Sequence, residues 1–348
     1  MTKRTRYFLV GSASFLAAGL TVGLAAYYGG IPGFAQPAGP EELSYVPANA
    51  VVVAYANVRQ LMDSAFRQQV KSLEPADKTE GQAEFKDATG INIETDVDYV
   101  LACVLPLTSS SGDQTGFVIA RGRFDRHRIE ALVQQKGGVA QDYKGHRLFV
   151  HTPDVADLSN VPVPGKGTVA VPMPKHPTTM GLTFVTPQVV AVGTPDAIER
   201  IIDLSTGAPT VRSNSELMKM IESVSAGNAW AVGRFDVLSQ QAHLSDQVSA
   251  QLPPITWVKA MGHVNGGISG MVSVEARDQA AADNLRQVVN GFIALARLQA
   301  GSKPELTSVL QSIQVTGDGT TVGVSFAVPA AAIEALKAGM SAPHRTPR

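Results

Sequence analysis

The stretch QDYKGHRLFVHT, residues 141–152, sets Tyr143, Lys144, His146 and Arg147 around a Lys-Gly turn. A phenol, an imidazole and two cations this close are the parts of a carboxylate or phosphate site. They are equally the basic edge of a hairpin, where Lys and Arg discourage edge-to-edge strand pairing, and that structural reading is favoured. Acids gather in NIETDVDYV, where alternation would set Glu94, Asp96 and Asp98 on one strand face. Paired carboxylates or a calcium site would follow, but the spacing is not that of an EF-hand loop. A solvated turn before a strand is preferred. ARGRFD at 120–125 returns as AVGRFD at 231–236. The repeat offers Arg123 and Arg234 as a shared ligand site; the favoured account is a strand exit in which Asp125 and Asp236 cap a helix.

Other chemistry lacks its parts. None of the seven histidines has the partner spacing of HxxxH or HExxH, and His146 and His151, five apart on one expected strand, face opposite sides. There is no GxSxG, no GxxxxGK[ST] and no GxGxxG opening a helix. The lone cysteine, Cys103, lies among apolar neighbours that would not lower its pKa, so it reads as an inert thiol. No catalytic residue, cofactor or metal is assigned. A net charge of −1 with 17% charged residues leaves no field to draw in nucleic acid.

The elements that must position these residues follow from periodicity. ANAVVVAYANV at 48–58 is a strand pattern, and 59–73 carries apolar residues at helical spacing. Phe117–Phe124 reads as a strand feeding the helix after Asp125. VVAVGTPDAIERIID at 189–203 passes from strand through Thr194 (N-cap), Pro195 (first helical position) and Asp196 (first turn). Ser213 and Glu216 form a capping box, 267–298 is a strand followed by a long helix, and Pro329 opens another helix after VGVSFAV. Ala54 aligned with Val232, and Asp125 with Asp278, suggest a diverged duplication without strict period. The expected fold is α+β: two related halves of mostly antiparallel sheet with helices packed on one face.

The N-terminus sets location. Residues 7–28 run uncharged for 22 positions, long enough to span a bilayer as a helix. Lys3, Arg4 and Arg6 precede the run, which places the N-terminus in the cytoplasm and the rest outside. A cleaved signal peptide, with Gly33 and Ala35 of GFAQ (33–36) at the −3 and −1 positions, is the alternative. Gly19 and Gly23 form a GxxxG able to pair two such helices as a homodimer. The resulting organisation is a basic tail (1–6), a signal-anchor helix (7–28), a Gly/Pro linker (29–42), two α+β halves (43–210 and 211–340) and a disordered tail (341–348). The Pro/Gly-rich stretch 152–179 reads as a protruding loop.

The single span, YVPANAVVVAYANV, TDVDYV, and then ARGRFD, YKGHRLF and VVAVGTPDAIERII together resemble uncharacterised bacterial envelope proteins of the domain-of-unknown-function type. The resemblance implies an inner-membrane protein with a periplasmic or extracellular domain, and transfers no catalytic residue. The expected function is a non-enzymatic binding module for a protein partner or apolar ligand, using the Pro/Gly loop or a groove between the halves. The alternative is a hydrolase-like enzyme whose Arg123, Tyr143, His146 and Asp98 converge in three dimensions.

Overall fold

The computed structural model describes residues 41–64, 85–106, 115–152, 179–237, 254–264, 267–299 and 309–329. The expected span at 7–28 with Gly19 and Gly23, nearly all of the linker, almost all of 152–179, the helix after Pro329 and the tail lie outside them. Among the described residues no helix is long and apolar enough to cross a membrane. The architecture is α+β, built on antiparallel pairing throughout, and its contacts gather into two compact units.

The first unit draws on Ala38–Met62 and Val70–Lys219. Its strands are Val52–Ala56 (β1), Val97–Leu105 (β2), Thr115–Gly122 (β3), Val139–Tyr143 (β4), His146–His151 (β5), Met180–Thr186 (β6) and Val189–Gly193 (β7), in the order β1-β2-β3-β7-β6-β5-β4. Its helices are Val58–Met62 (α1), Ile93–Asp96 (α2), Arg126–Gln135 (α3) and Pro195–Ser205 (α4). Of the helix expected over 59–73, only the part inside α1 falls within an observed helix, and 65–84 lies outside the described residues.

Period-two alternation builds one core face. Tyr55, Leu101, Ile119, Ala191, Thr183 and Leu148 are register partners across six strands, and all are buried. Helix α4 covers this face with Ala197, Ile198, Ile201 and Ile202, each buried. Each isoleucine stabilises by roughly 1.5–3 kcal/mol relative to exposure. Gly181 sits where a side chain would press on Leu148 and Ile198, so strand and helix approach closely there. Helix α3 lies on the other face, where its Glu130 meets Arg147, one position out of phase with Leu148. The one-sided helix packing expected from the sequence is therefore not what this unit has. A long β3-to-β4 crossover leaves α3 free to take the opposite face, and local pattern does not encode that choice. On α3's side Val118 at the centre of β3 stays 44% exposed.

Ser215–Glu222 (α5) leads toward the second unit. Its cap is Asn214, whose side chain accepts from Leu217 N–H, while Ser213 turns back to the Thr210 carbonyl. The cap thus stands one residue later than the capping box predicted. The second unit, within Met220–Arg348, holds Ala229–Arg234 (β8), Ile255–Val264 (β9), Gly267–Ala276 (β10), Gln314–Thr316 (β11) and Thr321–Pro329 (β12), ordered β8-β9-β10-β12-β11. Its helix Gln279–Gln299 (α6) packs Ala281, Ala282 and Leu285 onto Val274, Ala276 and Val322.

Candidate functional site

The 141–152 cluster is a hairpin. Lys144 and Gly145 have φ of +50° and +83°, both in the left-handed region, which makes the two-residue β4–β5 link a type I′-like turn and explains the glycine. Tyr143 and His146 face each other in register. The Tyr143 hydroxyl donates to Asp203 of α4 at 3.2 Å, and Lys144 Nζ reaches the same carboxylate at 2.5 Å. Asp203 raises the Lys144 ammonium pKa through that hydrogen bond. These two side chains tie the turn to α4.

Arg147 enters a different cluster, on the α3 side. Its Nη1 donates to Glu130 Oε2 at 3.0 Å, and Arg126 Nε donates to Glu130 Oε1 at 2.6 Å. The Glu130 side chain is only 8% exposed, while Arg126 and Arg147 are 42% and 51% exposed. Each guanidinium lies beside a buried ring: Arg126 is 5.5 Å from the Phe184 centroid and Arg147 is 5.2 Å from that of Phe149.

The acids do not share a strand face. Asn92 caps α2 by accepting from Glu94 N–H, so Glu94 and Asp96 sit in a helical turn and only Asp98 lies on β2. Asp96 accepts Asn92 N–H at 2.8 Å, and that bond, helped by Thr95 and Arg123, holds its carboxyl below the usual range. Arg59 Nε donates to Asp98 at 2.6 Å. Arg123 pairs with Asp96 and the Thr95 carbonyl. Among the described residues no three His, Cys, Asp or Glu side chains are placed to hold a metal ion.

The repeated phrase resolves into two unlike structures. In the first copy Asp125 caps α3 by accepting Arg128 N–H at 3.1 Å. Gly122 is required there, because a Cβ would run into the Asp96 carbonyl, which accepts Arg123 N–H at 2.7 Å. In the second copy the helical turn begins at Phe235, so Asp236 lies within it rather than before it. Its carboxylate grips Arg234 at 2.9 and 2.6 Å, which holds the Asp236 pKa low. Arg234 also lies 5.2 Å from the Trp257 centroid. The register Arg234–Trp257–Glu275–Thr321 runs across four strands. Beside it Lys259 bonds Glu275 at 2.6 Å, and Thr321 donates to both Glu275 oxygens. Arg123 and Arg234 therefore have separate partners and make no shared motif.

Asp98, Arg123, Tyr143 and His146 do not cluster within the first unit. With β7 and β6 between β3 and β5, three strand spacings of about 4.8 Å put β5 roughly 14 Å from β3. Cys103 is buried, and desolvation pushes its thiol pKa up.

Residues the sequence reading passed over lie on α6. Val288, Phe292, Leu295 and Leu298 recur at steps of four, three and three, and are all exposed, Phe292 by 68% and Leu298 by 80%. The adjoining sheet adds Val272, on the same face as Val274 beneath the helix and also exposed. The opposite flank of α6 borders an open cleft of about 630 Å³ lined by Asn290, Ile293, Arg297, Ile313 and Gln314. Arg297 is anchored to the Leu310 and Ile313 carbonyls. The available signal was an excess: VVNGFIALARL holds more apolar residues than one packed stripe uses. Compared with protein-family models, curated proteins and solved structures, the chain matches none.

Proposed function

We propose that the chain is a non-enzymatic binding module of the bacterial envelope, anchored in the inner membrane through residues 7–28, with its folded units on the far side and its contact surface on α6. The observation that carries the reading is the exposed apolar row Val288, Phe292, Leu295 and Leu298. A large exposed apolar surface rimmed by polar groups marks an interaction site. The occupant is a protein segment with an apolar face. The α6 flank opposite the row borders a cleft with Asn290, Arg297 and Gln314, directional groups that an acyl chain would not use. Pairing of anchors through Gly19 and Gly23, and the likeness to uncharacterised envelope proteins, belong to the same reading.

Topology supports a duplicated origin. Each unit runs three antiparallel strands, β1-β2-β3 or β8-β9-β10, then a helix, then a return whose last strand, β7 or β12, pairs antiparallel with the third. Both helices begin at an aspartate, with Asp278 accepting Ala281 N–H as Asp125 accepts Arg128 N–H. The β4–β5 hairpin is the extra piece of the first unit. The hydrolase reading gains no support from the separate partners of Asp98, Arg123 and Tyr143.

The test is photo-crosslinking of the full chain in its own membranes from a probe at Leu298, with Gln135 as control position. The expected result is one protein adduct, specific to position 298 and lost in Phe292→Asp. Lipid adducts alone, or no adduct, would overturn the reading.

A further inference from the structure

We infer that Arg126 and Arg147, held by Glu130, form a binding site for a phosphate group on the α3 face of the first unit. This site is independent of α6. One bidentate arginine is enough to satisfy a carboxylate. Here the two Glu130 oxygens are divided between two guanidinium groups from different elements, Arg126 at the start of α3 and Arg147 on β5. The triad carries net charge +1. Each guanidinium has five N–H donors; Arg126 spends its Nε and Arg147 its Nη1 on Glu130. Stacking beside the buried Phe184 and Phe149 rings restricts both planes. The cations are preorganised, their anchor is buried and both arginine side chains are partly exposed.

A second carboxylate has only two oxygens, which one guanidinium edge would saturate. Two guanidinium groups gathered by one carboxylate have the spare donors for the three free oxygens of a phosphate group. The group could come from a soluble phosphate ester or a lipid headgroup, and both present the same oxygens to the arginines.

The test is calorimetric titration of the full chain with inorganic phosphate, against chloride at matched ionic strength, in wild type, Arg147→Lys, Arg126→Lys and Glu130→Gln. Saturable one-site binding is expected in wild type, weakened about tenfold in either lysine variant, since lysine keeps the charge and loses the planar fork. Glu130→Gln raises the local charge to +2 and should retain or strengthen binding, whereas a purely structural triad would only lose thermal stability. The two lysine variants back each other should one fail to fold. Absence of a saturable wild-type response, or lysine variants that bind like wild type, would overturn the site. Flotation on phosphatidylglycerol against phosphatidylcholine vesicles then separates the sources: Arg147→Lys weakens the phosphatidylglycerol preference for a headgroup and leaves it unchanged for a soluble ester.

Discussion

Asp236 shows how a residue's role depends on what stands beside it. Arg234 holds its carboxyl below the ordinary aspartate range, so the pair contributes stability above the unfolded-state pKa, and that contribution fades as pH falls through the lower folded value. Asp236→Asn should cost about 1 kcal/mol near pH 7, a figure already reduced for the partial exposure of both groups. The gap to wild type should narrow steadily as pH falls below about 4. Chemical denaturation at pH 7, 4 and 2.5 measures this, and a gap that widened toward acid would contradict the pairing. The identical Arg-Phe-Asp in the first copy gave no warning of the difference. Asp125 and Asp236 differ because the helical turn starts at Arg126 in one place and at Phe235, one residue before the aspartate, in the other.

Among elements, α4 and α6 make opposite use of apolar residues. Ile198 is fully buried over Gly181 and Leu148, so Ile198→Ala should cost roughly 2–5 kcal/mol. Phe292 is larger but faces solvent, and Phe292→Ser should change stability by no more than about 0.5 kcal/mol. Urea midpoints of the two variants decide this, and a large loss in Phe292→Ser would place that ring in the core. Local signals were legible: the helix from Pro195 with Thr194 before it, the Asp125 cap, the Lys-Gly turn and the strand-to-helix passage into α6 all stand where short-range stereochemistry put them. One error was also local: Asn214 out-competed Ser213 as cap, which moved the start of α5 by one residue, whereas Glu94 and Asp96 sit in a turn before a strand, the reading preferred for them. The partners of Arg147, the face chosen by α3 and the exposed row on α6 depend on strand order, which connects residues far apart in the chain.

At the scale of the whole molecule, the two cores carry different reporters. Both tryptophans belong to the second unit, where Trp230 and Trp257 are buried on β8 and β9. Native emission should be blue-shifted and almost insensitive to acrylamide, turning red and quenchable when that unit opens. Strong quenching of the native protein would show that the row from Arg234 to Thr321 is open to solvent.

Cys103, sealed in the middle of β2 with its thiolate disfavoured, has a practical consequence. A maleimide reagent should leave the folded protein untouched. A single cysteine engineered at any exposed position then becomes the sole point of attachment, and a spin label or dye can be placed there without first deleting the native sulfur.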